Sequence, residues 1–85
     1  MSIFTNIKIN LTIKQLLKTD DENEIKYILE NTDNTHLLFT KLQEFIMKKV
    51  KKNPELKPEL YSRYKKIDQI QSQITKELLS DIGIR

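Results

Sequence analysis

The residue types that most often perform catalysis or bind metals are scarce in this sequence of 85 residues. The chain has no cysteine, one histidine and one glycine, which excludes a thiol nucleophile, a structural zinc site and a glycine-rich phosphate loop. The single imidazole, His36, falls in the first turn of a predicted helix, where we expect it to be solvated. We therefore expect a protein that is not an enzyme, with no catalytic residue, metal, cofactor or small-molecule substrate.

An acidic cluster at Asp20, Asp21, Glu22 and Glu24 is the remaining candidate for a metal site. It lacks the glycine and the ligand spacing of a calcium-binding loop, which is about twelve residues long. Acidic residues in the first turn of a helix also stabilise it, because they face the positive end of the helix dipole. We interpret the cluster as the beginning of a helix.

Basic residues are concentrated in residues 48–66, which carry eight lysines or arginines against two glutamates. Such a stretch can displace counterions from a nucleic-acid backbone, or it can attract an acidic protein surface. Residues 19–33 carry six acidic residues against one lysine, so a neighbouring copy of the chain could supply that acidic surface. The candidate contacts for nucleic acid or an acidic partner are Lys48, Lys49, Lys51, Lys52, Arg63, Lys65 and Lys66.

Apolar and polar residues alternate near the N-terminus, where Ile7, Ile9, Leu11 and Ile13 are separated by single polar residues. This period of two predicts a half-buried strand in an extended arm over residues 1–11. Ile3, Phe4 and Ile7 would also fit one face of a helix, which is the alternative for this segment. A lone strand is not stable, so we expect it to pair with another chain or to lie along the helices.

An alternating strand followed by helices resembles the ribbon-helix-helix repressors, in which two chains pair their strands and insert polar side chains into the major groove. The resemblance covers about forty residues, and two short predicted helices stand where that fold has one longer helix. It implies a dimeric DNA-binding regulator in which Lys8, Asn10 and Thr12 read the bases.

Four helices are predicted. Thr12 and Thr19, each followed three residues later by glutamine or glutamate, begin two short helices within residues 12–31. A third helix covers about 33–52 and ends at a proline, and a fourth covers about 58–82 with Gly83 as its C-cap. The apolar seam predicted for the fourth helix consists of Leu60, Tyr64, Ile67, Ile70, Ile74 and Leu78.

The predicted fold is all-α, a single domain over residues 1–85 with a short N-terminal extended segment or strand. The fourth helix would be about 37 Å long, which exceeds a compact domain of this size. A long antiparallel hairpin of the last two helices, residues 33–82, is therefore expected to dominate a small helical bundle.

The expected function is a non-enzymatic protein–protein interaction module, namely a small subunit, an adaptor or an inhibitor. Two short helices cover only part of such a hairpin, so we expect another protein chain, in a homodimer or a hetero-complex, to cover the rest. The alternative is a dimeric DNA-binding transcriptional regulator that uses the N-terminal strand or the basic stretch 48–66. The sequence has no charged-then-apolar leader and no apolar run of membrane length, so we expect a cytoplasmic location.

Overall fold

A computed structural model of the chain describes residues 3–81, and it describes the side chains of residues 7–80. Within these residues the fold is all-α, as predicted, and it contains no strand. The elements are α1 (Ile3–Lys18), α2 (Glu22–Glu30), α3 (Thr35–Lys52), a 3₁₀ turn (Pro54–Leu56) and α4 (Lys57–Asp81). Residues 1 and 2 of the predicted arm and the predicted C-cap at Gly83 lie outside the described residues.

Helix α1 occupies the segment for which the alternating pattern predicts a strand, so the predicted strand is wrong. Ile9, Ile13 and Leu16 recur at helical spacing and face the core. Ile7 and Leu11 are exposed, and at 100° per residue they lie on the opposite side of α1. The alternation is thus divided between two faces of one helix, whose backbone hydrogen bonds are made within the segment and require no second strand.

The observed helix starts differ from two of the predicted ones. Thr12 lies inside α1, where its hydroxyl donates a hydrogen bond to the carbonyl oxygen of Lys8 at 2.9 Å. The N-cap of helix α2 lies two residues later than the predicted Thr19, because the side chain of Asp21 accepts a hydrogen bond from the amide of Asn23 at 2.9 Å. Helix α3 is capped by Asn34, whose side chain accepts from a backbone amide of the first turn at 3.0 Å.

The core consists of isoleucine and leucine. All ten buried apolar residues among those described are of these two types, and no described polar or charged residue is buried. Each helix contributes to this single cluster. The buried residues are Ile13, Leu16, Ile25, Leu29, Leu38, Leu42, Ile46, Ile67, Ile70 and Ile74.

Helix α4 contacts all three other helices, and its most extensive contact is with α2 rather than with α3. Near the start of α4, the hydroxyl of Tyr64 accepts a hydrogen bond from Gln43 of α3 at 2.6 Å. Near its end, the ammonium group of Lys26 on α2 lies 3.2 Å from a carboxylate oxygen of Glu77. The pairing of α3 with α4, predicted to dominate the fold, is therefore less extensive than the pairing of α2 with α4.

The described part of the molecule measures 46 × 32 × 20 Å. A helix with its side chains is about 10–12 Å across, so the shortest dimension corresponds to two helices. Every helix therefore keeps one side towards solvent. Of the described helices, none combines the length and the apolar character that crossing a membrane requires.

Candidate interaction site

The four lysines near the C-terminus of α3, Lys48, Lys49, Lys51 and Lys52, are exposed. Three of them lie in the last turn of α3, where a positive charge stabilises the negative end of the helix dipole. The ammonium group of Lys49 also lies 5.6 Å from the ring centroid of Phe45. These side chains form a solvent-facing basic surface at the C-terminal end of α3.

Arg63 and Lys66, two further basic candidates, contact the connection between α1 and α2 of their own chain. The Arg63 guanidinium lies 3.1 Å from a carboxylate oxygen of Asp20 and 3.4 Å from the carbonyl oxygen of Thr19. The Lys66 ammonium donates to the carbonyl oxygen of Asp20 at 3.1 Å. Part of the attraction predicted between copies is thus made within one chain.

The seventh basic candidate, Lys65, lies at the edge of a groove between α3 and α4. We call this opening the α3–α4 groove; its volume is about 420 Å³. The residues that line it are Gln43, Ile46, Met47, Tyr61, Tyr64, Lys65 and Asp68.

The surface of the α3–α4 groove is mainly apolar. Ile46 is buried beneath it, whereas Met47 and Tyr61 are 66% and 49% exposed. Tyr64 is half-buried, and its ring packs against Phe39 with a centroid distance of 6.1 Å. A thioether and an aromatic ring side by side at an exposed site form a contact surface that is both adaptable and large.

Lysines border the groove. The ammonium group of Lys57 lies 5.4 Å from the ring centroid of Tyr61, and Lys65 follows Tyr61 by one helical turn. Lys51 follows Met47 by one turn on α3. Among residues 7–80, no ion pair involves any of these three lysines. The groove therefore has an apolar floor, one acidic residue in Asp68 and a basic border.

The predicted base-reading residues do not form the row that a strand would give. Lys8 and Thr12 line an opening between α1 and α2, and Asn10 lines a different opening between α1 and α3. Residues on a helix separated by two positions face different directions, so Asn10 points away from Lys8 and Thr12. Helix α1 therefore does not provide the strand from which these three residues were expected to read bases.

The predicted seam of α4 is buried along part of its length. Ile67, Ile70 and Ile74 belong to the core, and Leu60 and Tyr64 are partly buried against it. Leu78 departs from this pattern, since it is 60% exposed one turn beyond Ile74. The buried part of the seam thus ends at Ile74, before α4 does.

Three of the four members of the acidic cluster have structural partners. Asp20 pairs with Arg63, Asp21 caps α2, and Glu24 accepts a hydrogen bond from the hydroxyl of Thr19 at 2.8 Å. Residues 7–80 bring no three histidine or acidic side chains together in a way that could hold a metal ion. These carboxylates therefore shape the start of α2.

Comparison of the chain with protein-family models, with curated proteins and with solved structures finds no match. The candidate site is therefore defined by its own geometry. The α3–α4 groove combines exposed apolar side chains, a concave shape and a border of lysines that make no ion pair among the described residues. Sequence patterns did not predict the groove, because Met47 and Tyr61 become neighbours only when α3 packs against α4. The spacing of Lys57, Tyr61 and Lys65, each four residues from the next, is the feature of the sequence that could have indicated it.

Proposed function

We propose that this chain is a non-enzymatic protein-binding module whose α3–α4 groove receives an amphipathic helix of another protein chain. The observation that carries the proposal is the exposed pair Met47 and Tyr61 in a concave, lysine-bordered surface. Grooves of this kind bind helices through a few apolar side chains spaced at one helical turn, and flanking charges select the partner.

The chemistry of the groove defines the chemistry of the partner helix. Its centre should carry a large apolar or aromatic side chain, because Met47 and Tyr61 gain most from excluding water over a broad contact. Its flanks should carry aspartate or glutamate, which Lys51, Lys57 and Lys65 would attract. Exposed charge pairs contribute little affinity individually, so the apolar centre supplies most of the binding energy.

The experiment compares two single substitutions at adjacent positions of α3. Met47→Glu places a negative charge in the groove, whereas Lys48→Glu changes a side chain that faces the opening between α1 and α3. Proteins bound to each immobilised variant from the native cells are identified, and the best candidate is then purified and titrated by calorimetry. We expect binding to the original chain and to Lys48→Glu, and a loss of at least about tenfold with Met47→Glu.

Equal binding of the candidate partner to all three proteins would contradict the use of the groove. Titration of both variants by calorimetry has to be accompanied by circular dichroism, which verifies that the helical content is unchanged. Because Met47 is exposed, the substitution is expected to change stability by no more than about 0.5 kcal/mol.

A second candidate function is nucleic-acid binding by the basic surface at the end of α3, which is favoured by the exposure of all four lysines there. Replacing Lys48, Lys49, Lys51 and Lys52 with glutamine would then abolish retention on duplex DNA and flatten its dependence on salt. Fluorescence anisotropy of labelled duplex at low and high salt measures this directly. If the quadruple variant and the original protein are both retained weakly and to the same extent, the four lysines only form a solvated helix end.

A further inference from the structure

Helix α2 exposes an aromatic side chain between two acidic residues. Tyr27 is 68% exposed, and Glu24 and Glu30 lie one turn before and one turn after it, also exposed. Side chains three or four positions apart on a helix are neighbours on one face. We call Glu24, Tyr27 and Glu30 the α2 patch.

The α2 patch has the charge pattern opposite to that of the α3–α4 groove. In the groove, Tyr61 stands between Lys57 and Lys65, each one turn away along α4. In the patch, Tyr27 stands between two glutamates. A helix with a central aromatic residue and acidic flanks is the partner that the groove chemistry requires, and α2 presents one on the surface of this same chain.

We infer that the helix received by the α3–α4 groove is α2 of a second copy of this chain. The inference rests on the proposed function and names the partner. Two tyrosines and Met47 form the water-excluding centre of the contact, and the lysine and glutamate pairs align the two helices. Glu24 takes part in no ion pair among residues 7–80. One of its carboxylate oxygens accepts the hydrogen bond from Thr19, so the other oxygen is open to a lysine.

The contact joins unlike surfaces. No residue lines both the α3–α4 groove and the opening beside Tyr27, so a chain offers its groove and its α2 patch at separate places. Two copies that exchange both contacts form a closed dimer, whereas one contact at a time produces longer head-to-tail assemblies.

Reversing the charges tests the pairing, with molecular mass measured by light scattering and by analytical ultracentrifugation over a concentration series. One variant carries Lys57→Glu and Lys65→Glu, and a second carries Glu24→Lys and Glu30→Lys. Each variant alone brings like charges together, so its self-association should weaken at least about tenfold. An equimolar mixture of the two restores opposite charges at both contacts and should recover the mass of the original protein.

The control variant carries Lys48→Glu and Lys52→Glu, which changes the net charge by the same amount as the groove variant. These two lysines lie outside the groove, because Lys48 lines the opening between α1 and α3 and Lys52 follows it by one turn of α3. The control variant should associate like the original protein. Tyr27→Ala should also weaken association, although it leaves the net charge unchanged. We expect this variant to fold like the original protein, because the side chain of Tyr27 is exposed. Circular dichroism verifies the helical content of every variant.

A strictly monomeric original protein at high micromolar concentration would overturn this inference, as would an association that Tyr27→Ala leaves unchanged or a mixture that recovers nothing. None of these results decides the proposed function, which is tested separately by the loss of binding of a purified partner to Met47→Glu. Self-association that Met47→Glu also leaves unchanged would exclude the groove from that contact.

Discussion

Substitution of Arg63 tests how firmly α4 holds the connection between α1 and α2. The side chain is 26% exposed, and its guanidinium faces a carboxylate and a carbonyl of that connection. Asp20 is 84% exposed, so the ion pair should contribute at most about 1 kcal/mol. The partly buried methylene stem adds a further contribution, and we expect Arg63→Ala to lower the free energy of unfolding by about 1–2 kcal/mol.

Urea denaturation followed by circular dichroism measures the free energy of unfolding, and a thermal scan of the same samples provides a second reading. For a domain of this size, 1 kcal/mol corresponds to a shift in Tm of about 4–8 °C. The matched control is Lys65→Ala, whose side chain is exposed and makes no described ion pair; we expect it to cost less than about 0.5 kcal/mol. At high salt only the ion-pair part of the Arg63 effect should decrease, because salt screens exposed charges and does not affect packing.

Equal stabilities of Arg63→Ala and Lys65→Ala would refute this reasoning, since Lys65 has no contact with the connection. Arg63→Lys gives a finer test. Lysine retains the charge but cannot donate in two directions from one planar group, so it should recover only part of the loss.

Two further predictions concern α4. Because Ile67 is buried, Ile67→Ala should lower the free energy of unfolding by about 2–4 kcal/mol and Ile67→Val by about 1 kcal/mol. Leu78 is exposed, so Leu78→Ala should cost less than about 0.5 kcal/mol. Denaturant titration of the three variants measures these losses, and similar losses for Ile67→Ala and Leu78→Ala would contradict the assignment of the buried face of α4. The buried side-chain oxygen of Gln71 accepts no hydrogen bond among the described residues. Gln71→Met should therefore raise the free energy of unfolding by about 1 kcal/mol in the same denaturant titration. A variant that is less stable than the original protein would indicate that this oxygen has a hydrogen-bond partner.

The sequence predicts the later helices well because their ends carry strong local signals. Helix α3 was expected over about 33–52 and spans Thr35–Lys52, since an asparagine caps its start and Pro54 follows its end. Helix α4 was expected over about 58–82, and its described residues are Lys57–Asp81. Proline near its first turn is compatible with the helix, because the first amides have no partner within the helix.

The N-terminal segment was predicted wrongly because its apolar residues satisfy two periods at once. A spacing of two puts Ile9 and Ile13 on one face of a strand, but the same residues are also separated by one helical turn. Leu16, which the strand prediction did not use, continues the helical spacing into the core. The contacts of Arg63 and Lys66 with the connection between α1 and α2 could not be predicted from local sequence patterns either, since they join residues more than forty positions apart.

The thin core, made only of isoleucine and leucine, has a consequence for how such a sequence can change over generations. Aliphatic residues of similar volume replace one another in cores at a cost of less than about 1.5 kcal/mol when neighbours repack. Because none of the ten buried residues has a polar side chain, no exchange among them has to preserve a side-chain hydrogen bond. Descendants of this chain can therefore exchange the aliphatic residues of the core and still retain the arrangement of the four helices. Residues of the groove and of the α2 patch that stay identical among such descendants would indicate selection for binding.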